Sequence, residues 1–580
     1  MQITKIQGSF KMLNITRLLS ALFLFALAPF LQAGADWQAV TVSDTVVDFG
    51  SVVTGQTHSY LLTLYNNEAY PVQVTAAAYE EDEFSTDLAA VEIPANSSYD
   101  FYIYFNSRHN LNYTDFLRIE VDAGIHPLIV ETSAEATYNE SYYSSTRNKK
   151  GSDLKSALHN IIKGHTELSY GDLWDALSYT DEDTANANNV LLLYTGWSYT
   201  KTNHGGNVDQ WNREHVWAKS HGDFGTTPPA GTDLHHIRPT DVSVNSKRGN
   251  LDFDNGGSLY IDGDGNTGCY YDSDSWEPRD AVKGDVARMM YYMVVRYEGE
   301  EGYDLELVDY TPSTTSNQPL FGKQSTLYQW HQNDAVDNWE RRRNDRIYNT
   351  YQHNRNPFID HPEFAERLPS VSGIALTEGP EAATAPASAD MDEIGFNQTA
   401  YYYIAVINTG TADLNVSSIS STNPDFSTNV TSMTLSPESY DYIQVAYTSV
   451  ETEGTFSTTI QLTTNDNDEA QIDIPVQVTV NGSVNIINDG GTVYGFHLKQ
   501  NYPNPFNPVT AITYQLSAAN DVELTVYNVL GQQIRTLVKE RQTPGSYKVA
   551  FDAGNLPAGI YLYKLSAGRQ SRIKKMVLVK

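Results

Sequence analysis

The stretch that decides the fold of the central region is WNREHVWAKSHGDFGTTPPAGTDLHHIRPTDVSVNSKRGNLDF, residues 211–253. It starts with an extended segment around EHVW, continues through a loop rich in Gly and Pro, and returns in a second extended segment, DLHHI, which ends before Pro239. Thr240 or Asp241 can then cap a short helix. The pattern predicts a β-hairpin followed by a helix, with His215 on the first strand and Asn245 on the helix.

Glu214, His215 and Asn245 supply the groups that hydrolysis of a phosphodiester requires. The reaction needs an activated water, charge relief on the phosphate oxygens and stabilisation of the leaving 3′ oxygen. A neutral histidine can deprotonate water near neutral pH. One carboxylate and one amide oxygen can hold Mg²⁺ while leaving positions open for water and phosphate. Zinc is not indicated, because cysteine ligands are lacking and a zinc site would need more converging histidines.

Each of these residues also has an ordinary structural explanation. A Glu-His pair is common, Asn245 could be a turn or helix-start residue, and His235 and His236 could be hydrogen-bonded core histidines. A regular strand would also direct Glu214 and His215 to opposite sides. If both face one site, we expect a twist or a β-bulge at this position.

An ordered series of motifs runs through residues 138–365: YTG at 194–196, WNREHVW at 211–217, DLHH at 233–236, VNSKRGN at 244–250, KGDVAR at 283–288 and NRNPFIDHP at 354–362. At these residues the sequence resembles the His-Me finger nucleases. Within them it is most similar to the endonuclease I family, especially the branch that includes secreted Bacillus-type ribonucleases.

The resemblance implies a role for each candidate residue. His215 would be the general base, while Glu214 and Asn245 would bind one Mg²⁺, for which Mn²⁺ or Ca²⁺ could substitute. An arginine would hold the cleaved phosphate, and because its position varies within the family there are three candidates: Arg213, Arg238 and Arg248. Members of the family leave a 5′-phosphate end and usually cleave without strong sequence preference.

Charge and cysteine content constrain this interpretation. The formal net charge of −33 would on average repel a polyanion, so a nucleic-acid site needs local Lys or Arg or a bound cation. Cys269 is the only cysteine, so no intramolecular disulfide can form. Better-known periplasmic relatives carry several disulfides, and here packing must replace any role that they play.

Two segments that flank the central region, residues 44–137 and 390–482, are similar to each other. Both contain short alternating strands separated by turns with Gly, Asn or Pro, and both reach a Phe-Ser pair after the second strand. This spacing predicts a β-sandwich of about 100 residues in each case. The segments resemble the immunoglobulin-like (Ig-like) modules of the ASPM/SPD-2/hydin type, and we expect spacer or docking roles for them.

The C-terminal 85 residues, 496–580, return to alternating β patterns and predict a small antiparallel sandwich. They contain NYPNPFNP at 501–508, YNVLG at 527–531, GIY at 559–561 and a basic end from Lys574 to Lys580. These motifs resemble the sorting domain of the bacterial type IX (Por) secretion system, which implies that the export machinery is a partner. The alternative is a third binding sandwich.

The N-terminus has the pattern of a secretory signal peptide. Basic residues precede the apolar run LLSALFLFALAPFL at 18–31, and an Ala-Gly-Ala site follows at 33–35. We expect cleavage after Ala35, with a retained N-terminal anchor as the alternative; a start at Met12 would leave a shorter signal. The run is short for a membrane span, and no other stretch approaches the ~20 apolar residues that a spanning helix needs.

These observations predict a multidomain chain with an α+β His-Me finger (ββα-metal) nuclease domain, Ig-like β-sandwiches on both sides and a small C-terminal β-sandwich. Within the nuclease domain, apolar residues spaced by three and four in residues 280–299 predict a helix that lies mostly in the core. The expected segments are a signal peptide at 1–35, a sandwich at 36–137, the nuclease domain at 138–368, a second sandwich at 369–482, a linker at 483–495 and the sorting domain at 496–580.

Other motifs are weaker. Residues 262–266, DGDGN, resemble the start of a calcium loop, but Thr267 and Ser273 stand where Gly and Glu are required. An exposed acidic turn is the better interpretation, and residues 465–469 have the same explanation. The arginines at 341–343 could touch phosphate or offset acidic residues on their own helix.

The sequence therefore predicts a secreted or surface-tethered, monomeric, Mg²⁺-dependent endonuclease that contacts the phosphates of extracellular DNA, RNA or both. One alternative is a secreted ribonuclease with little activity on DNA. Another is a surface adhesin whose nuclease-like domain is inactive; the intact set of Glu214, His215 and Asn245 speaks against it. The sequence does not separate DNA from RNA, because the chemistry at the scissile phosphate is the same.

Overall fold

The computed structural model describes residues 39–481, apart from 123, 300–301, 316 and 377, and residues 497–579, apart from 499–500, 502–505, 517–518, 529–531, 544, 555 and 568–569. The predicted signal peptide, residues 1–35, and the predicted linker, residues 483–495, lie outside the described residues. In the described part of the chain, no helix is long and apolar enough to cross a membrane.

The N-terminal module is a β-sandwich. Its strands are β1 (Val40–Val42), β2 (Val46–Val53), β3 (His58–Asn66), β4 (Val72–Ala78), β5 (Phe84–Thr86), β6 (Val91–Ile93), β7 (Ser98–Phe105), β8 (Asn112–Val121) and β9 (Leu128–Thr137). One sheet has the order β1-β3-β7-β5 and the other β2-β9-β8-β4-β6. Alternating residues such as Leu62, Leu64 and Ile103 are buried between the sheets, as the period-2 pattern predicts.

The central region is α+β, as expected. Its strands are β10 (Asn189–Leu191), β11 (Ser198–Thr200), β12 (Trp211–His215), β13 (Ile237–Asp241), β14 (Asp252–Phe253), β15 (Ser258–Asp262), β16 (Gly265–Tyr271), β17 (Ser275–Glu277), β18 (Glu306–Leu307) and β19 (Leu320–Phe321). Its helices are α1 (Gly151–Ile162), α2 (Leu173–Thr180), α3 (Val242–Arg248), α4 (Lys283–Arg296), α5 (Gln324–Asn333), α6 (Asn338–Arg346), α7 (Pro357–Asp360) and α8 (Pro369–Ser372).

Helix α4 is the centre of this region. Every residue from Gly284 to Arg296 is buried, and the helix packs against α1, α5 and α7. The core around it contains aromatic residues from distant segments, including Trp217, Trp276 and Phe321. The prediction that this helix lies in the core is confirmed, and the large apolar core stabilises the region without a disulfide.

The second sandwich follows the nuclease region. Its strands are β20 (Ala382–Ala385), β21 (Ala389–Ile394), β22 (Thr399–Asn408), β23 (Leu414–Val416), β24 (Ser418–Ser421), β25 (Phe426–Thr428), β26 (Met433–Leu435), β27 (Ser439–Thr448), β28 (Gly454–Thr463) and β29 (Gln471–Val480). The main sheets have the orders β20-β22-β27-β25 and β21-β29-β28-β24. Residues 465–469 form the turn between β28 and β29.

One buried asparagine in each sandwich shows how closely the modules correspond. The Asn66 side chain at the end of β3 donates from Nδ2 to the carbonyls of Tyr70 and Ile93. The Asn408 side chain at the end of β22 donates from Nδ2 to the carbonyls of Ala412 and Leu435. The two asparagines therefore satisfy equivalent loop carbonyls in the two modules.

The two sandwiches contact each other, although the nuclease region separates them in sequence. Phe116 and Ile129 of the first module share a buried cluster with four residues of the second: Ala383, Ala385, Ala405 and Ile407. The Tyr403 amide also donates to the Ile125 carbonyl at 2.7 Å. Both ends of the nuclease region are thus held by modules that pack together.

The C-terminal domain is antiparallel β. Its strands are β30 (His497–Leu498), β31 (Val509–Leu516), β32 (Asn520–Asn528), β33 (Gln533–Gln542), β34 (Gly545–Asp552), β35 (Gly559–Ala567) and β36 (Gln570–Leu578). The sheets β30-β31-β34 and β33-β32-β35-β36 share one apolar core. The predicted fold class, with β-sandwiches around an α+β nuclease region, is confirmed.

Candidate active site

The decisive stretch folds as a hairpin followed by a helix. Strand β12 pairs antiparallel with β13, from Trp211 opposite Asp241 to His215 opposite Ile237. Of the two predicted capping residues, Asp241 is the cap: its carboxylate accepts hydrogen bonds from the Ser243 and Val244 amides at the start of α3. The cap ties the helix directly to the end of the hairpin.

The predicted bulge is absent, because β12 and β13 pair without a register shift. Arg213 and His215 therefore lie on one face of the strand, and Asn212 and Glu214 lie on the other. His215 is the last residue of the strand. The two faces form different environments.

The His215 imidazole is held against a backbone carbonyl. The side chain is 6% exposed, and its Nε2 lies 3.1 Å from the Gly231 carbonyl oxygen. A carbonyl only accepts, so Nε2 carries the proton and donates, which leaves a lone pair on Nδ1. Nδ1 makes no hydrogen bond with any residue that the structure describes.

Burial is the main reason why the pKa of His215 is lowered to about 3. The charges of His236, Lys219 and Arg213 lower this pKa further, whereas the hydrogen bond to Gly231 raises it. The imidazole is therefore neutral at neutral pH, with a free lone pair, and can accept a proton.

A tight loop places the carbonyl that His215 contacts. A Cβ on Gly231 would lie 2.6 Å from the Thr226 carbonyl carbon, so no larger residue fits here. His236 Nε2 contacts the Ala230 carbonyl at 2.8 Å. His235 and His236 are buried and hydrogen-bonded to carbonyls, so both have the structural role that the sequence left open.

Below this loop lies the buried carboxylate of Asp233. It accepts hydrogen bonds from the hydroxyls of Tyr292 and Tyr297 and from the Gln352 amide. Burial raises the pKa of Asp233, but nearby histidines, His165 first, bring it below its ordinary value. The ionised carboxylate therefore anchors the loop to α4, a function that the sequence did not reveal.

On the opposite face, Glu214 is 3% exposed. Its Oε1 accepts a hydrogen bond from the Tyr194 hydroxyl at 2.8 Å and lies 3.4 Å from Arg248 Nη1. Burial raises the pKa of Glu214, and the opposing effects of Arg248 and Tyr194 are smaller. Oε2 makes no hydrogen bond with a described residue, so it is available to a cation.

Asn245 on α3 is fixed by a neighbour of Glu214. Its Nδ2 donates to Asn212 Oδ1 at 2.7 Å, which leaves Asn245 Oδ1 without a partner among the described residues. Asn212 and Glu214 share one face of β12, so Asn245 lies on the Glu214 side of the hairpin. One carboxylate oxygen and one amide oxygen are the donor types that suit a hard divalent cation.

A second acidic group in the described residues consists of Glu298, Asp304 and Glu306. The ammonium group of Lys155 contacts both Glu298 and Glu306. A protein cation therefore already offsets part of the charge of this group, which is remote in sequence from the hairpin. Residues 262–266 span the tight turn between β15 and β16, with Gly263 and Asp264 exposed at its tip, as the exposed-turn interpretation predicts.

The three candidate arginines have different environments. Arg238 is buried, with its Nε 2.8 Å from Asp181 Oδ1, and its guanidinium lies over the Trp339 ring. Arg248 is also buried and donates to the carbonyls of His215 and Val216. These two arginines stabilise the hairpin from its buried side.

Arg213 is the one of the three that reaches solvent, and it shares a face of β12 with His215. Its guanidinium carbon lies 3.5 Å from the centre of the Tyr170 ring and 3.8 Å from that of the Trp174 ring. Two aromatic rings thus hold a planar cation beside the imidazole.

Comparison with known proteins relates each part of the chain to a family. The family model described as Endonuclease I matches residues 150–363. The HYDIN/CFA65/VesB-like, Ig-like domain matches residues 39–132 and 384–479, and the secretion system C-terminal sorting domain matches residues 500–580. A PapD-like domain of human CEP192 matches with 15% identity over 18% of this chain and 87% of that domain, but its TM-score of 0.17 is too low to support a fold assignment.

Similarity to curated proteins is concentrated in the nuclease region. An extracellular ribonuclease of Bacillus subtilis (strain 168) is 61% identical over 230 residues, which cover 40% of this chain and 78% of the relative. An extracellular ribonuclease of Bacillus amyloliquefaciens is 62% identical with the same coverage. Together with the sorting domain, these matches identify a secreted or cell-surface nuclease, and the chain belongs to the endonuclease I family.

Proposed function

We propose that this protein is a Mg²⁺-dependent endonuclease that hydrolyses extracellular RNA and DNA to products with 5′-phosphate ends. Nucleases of the family generally depend on a metal ion. The observation that carries the proposal is the neutral His215 beside Glu214 in the sequence. Among the described residues, neither His215 Nδ1 nor Glu214 Oε2 has a hydrogen-bond partner. The relatives are named extracellular ribonucleases, which supports RNA as one substrate.

In the proposed reaction His215 Nδ1 accepts a proton from a water molecule, whose oxygen attacks the phosphorus atom. The bond between phosphorus and the 3′ oxygen breaks, which leaves a 5′-phosphate and a 3′-hydroxyl end after protonation of the leaving oxygen. Glu214 Oε2 and Asn245 Oδ1 would hold the cation. When bound, Mg²⁺ supplies charge relief on the phosphate oxygens and stabilises the leaving oxygen.

Arg213 is the arginine that we assign to the phosphate. It is the solvent-accessible candidate on the His215 face, where its Nη1 donates to the Tyr170 carbonyl. Arg238 and Arg248 are buried and bound to buried partners. A guanidinium held flat by two rings loses little freedom when it binds an anion. It also provides positive charge that a chain of net charge −33 needs at this point.

The remaining assignments concern the other segments. We infer that residues 36–137 and 369–482 are spacer modules around a nuclease domain at 138–368, that residues 496–580 engage the secretion machinery, and that the protein acts as a monomer. Two alternatives predict other cleavage patterns. A ribonuclease with little DNase activity would cut only RNA, and an adhesin with an inactive nuclease-like domain would cut nothing.

The test is to incubate the purified protein with RNA, single-stranded DNA and plasmid, with Mg²⁺ or with EDTA. We expect cleavage that EDTA abolishes, and a loss of about 10²- to 10⁴-fold in the His215→Ala variant, the usual contribution of a general base. The exposed His353, replaced by Asn in a matched control, should have no effect, because its φ of 61° suits Asn. Equal activity of His215→Ala and the wild type would refute the proposal.

A further inference from the structure

The arginine run of helix α6 has two explanations from its sequence: pairing with acidic residues on the same helix, or contact with phosphate. The three acidic side chains of this segment have partners outside the run: Asp337 binds backbone amides as the N-cap, Glu340 binds Arg288, and Asp345 binds Arg355. Pairing along the helix therefore does not account for these arginines.

Arg343, the last residue of the run, has a structural role. Its side chain is buried, binds the Asp181 carboxylate, and donates to the carbonyls of Leu234 and Ile237 at the hairpin. All of its contacts are internal, so it is not available to a ligand in solvent. The arginines of α6 that these contacts leave unexplained are Arg341, Arg342 and Arg346.

Two of these arginines and one lysine gather around a single carboxylate, that of Glu182. Lys201 Nζ lies 2.6 Å from Glu182 Oε2, and Arg346 Nη2 lies 3.3 Å from Oε1. Arg342 Nη2 donates to the Glu182 carbonyl at 2.7 Å. One negative charge is thus shared by three positive charges. We call Lys201, Arg341, Arg342 and Arg346 the basic cluster.

The basic cluster has positive charge that its own contacts do not balance. Arg341 is exposed, and its side chain has no partner among the residues that the structure describes. Burial lowers the pKa of Arg342, and the charge of Arg346 lowers it further, by more than any single carboxylate raises it. The side chains of Lys201 and Arg346 are 25% and 19% exposed. An anion from solvent can therefore reach the cluster and relieve its repulsion.

The basic cluster and Arg213 lie at opposite ends of α2. The Trp174 ring, in the first turn of this helix, contacts the Arg213 guanidinium. The Arg346 guanidinium lies 4.3 Å from the centre of the Tyr179 ring, in the last turn. A helix of 8 residues is about 12 Å long. The two groups are thus too far apart to hold the same phosphate, and a chain of several nucleotides is needed to reach both.

We propose that the basic cluster is a second binding site for the phosphate backbone of the nucleic-acid substrate, separate from the active site. Cations in excess over carboxylates attract a phosphodiester chain whatever its bases or sugar. Asp172 and Asp175 are exposed on α2 between the cluster and Arg213, so the two sites do not form one continuous positive groove. The second site therefore serves long substrates.

Such a site has a particular value in this protein. A chain of net charge −33 repels a polyanion on average, and a local excess of cations on the nuclease domain keeps the substrate near the active site between cleavage events. The inference rests on the proposed function, because it takes nucleic acid as the substrate.

Cleavage of poly(U) and of a trinucleotide, at fixed Mg²⁺ and several NaCl concentrations, tests the inference. For the wild type, log KM for poly(U) should rise with log [NaCl]. In the Arg341→Ala/Lys201→Ala variant this slope should fall by about 0.7 for each lost phosphate contact, the value for single strands. KM for poly(U) should rise at low salt with kcat unchanged. The trinucleotide cannot span α2, so both proteins should cleave it equally.

Three further variants separate phosphate binding from other effects. Arg341→Ala removes no internal side-chain contact among the described residues and should by itself lower the slope by about 0.7. Arg341→Lys retains the charge and should keep most of the slope. Arg108→Ala removes an arginine of the first sandwich whose side chain is 69% exposed, so it matches the charge loss outside the cluster and should behave as the wild type. Thermal unfolding identifies any variant that fails to fold.

Equal slopes for the wild type, Arg341→Ala and Arg341→Ala/Lys201→Ala would overturn the inference. So would an equal fall in kcat on both substrates with the slope intact, which would mean that the cluster only supports α2. Failure of the proposed function has a different signature, since it would show as no cleavage of poly(U) or as full activity of His215→Ala.

Discussion

On one face of β12, Arg213 and His215 meet aromatic rings and a backbone carbonyl, whereas on the other face Asn212 and Glu214 meet amide, hydroxyl and guanidinium groups. Alternation along the strand produces this separation without a bulge. The first face surrounds the neutral His215 imidazole with positive charges. The second places a buried carboxylate where burial raises its pKa.

The difference shows why adjacent residues can have different tasks. A base must stay neutral, and burial among positive groups keeps the His215 imidazole neutral. A cation stabilises a buried carboxylate such as that of Glu214. Arg248 supplies only part of the positive charge, because it contacts Oε1, and Oε2 has no partner among the described residues. One face is thus suited to proton transfer and the other to cation binding, so substitutions on the two faces should fail in different ways.

Glu214→Gln gives the largest expected effect that separates the faces. Loss of the carboxylate charge should weaken cation binding and reduce kcat/KM at low Mg²⁺ by more than the about 10- to 100-fold that loss of a supporting partner costs. Because the defect is one of affinity, raising the Mg²⁺ concentration should restore part of the activity. The same titration should not restore His215→Ala, whose base is missing. Equal rescue of both variants would contradict the division between the two faces.

Local signals in the sequence were sufficient for the hairpin-helix unit. Asp241 is a residue type that favours helix N-caps, and it stands directly before α3 and caps it. Asn245 lies on that helix, as the sequence predicts. For both Glu214 and His215 to face one site, a twist or a bulge was required. The strands pair in regular register, so the two side chains lie on opposite faces of the strand end.

Other parts of the site depend on contacts between distant segments, which a single sequence does not encode locally. Gly231 contacts His215 through its backbone carbonyl. A glycine in a Gly/Pro-rich loop does not by itself indicate such a contact. Trp174 and His204 meet through tertiary packing of α2 against a loop. Likewise, the contact of Phe116 with the second sandwich could not be predicted from either repeat.

Tyr194→Phe should have a smaller effect, confined to the Glu214 face. The hydroxyl orients Glu214 Oε1, and loss of such a supporting hydrogen bond typically weakens metal binding by about 10- to 100-fold. We expect a matching rise in the half-saturating Mg²⁺ concentration, with near-normal activity at saturation. The matched control is Tyr291→Phe, which removes a buried hydroxyl that has no hydrogen-bond partner among the residues that the structure describes. If both variants shift the Mg²⁺ requirement equally, the orienting role of Tyr194 is wrong.

Asn212→Ala should have the smallest effect, because it alters a ligand only through its neighbour. Asn212 Oδ1 accepts a hydrogen bond from Asn245 Nδ2 and so directs Asn245 Oδ1 away from the strand. Without this hydrogen bond the Asn245 amide can rotate. A hydrogen bond between uncharged groups contributes about 1 kcal/mol net. The half-saturating Mg²⁺ concentration should therefore rise about fivefold. Asn189→Ala, which removes a similar amide on β10 that bonds to Ser198, should leave it unchanged. A change in maximal rate without a change in Mg²⁺ requirement would instead indicate that Asn212 contacts the substrate. The Glu214 face would then bind substrate as well as the cation.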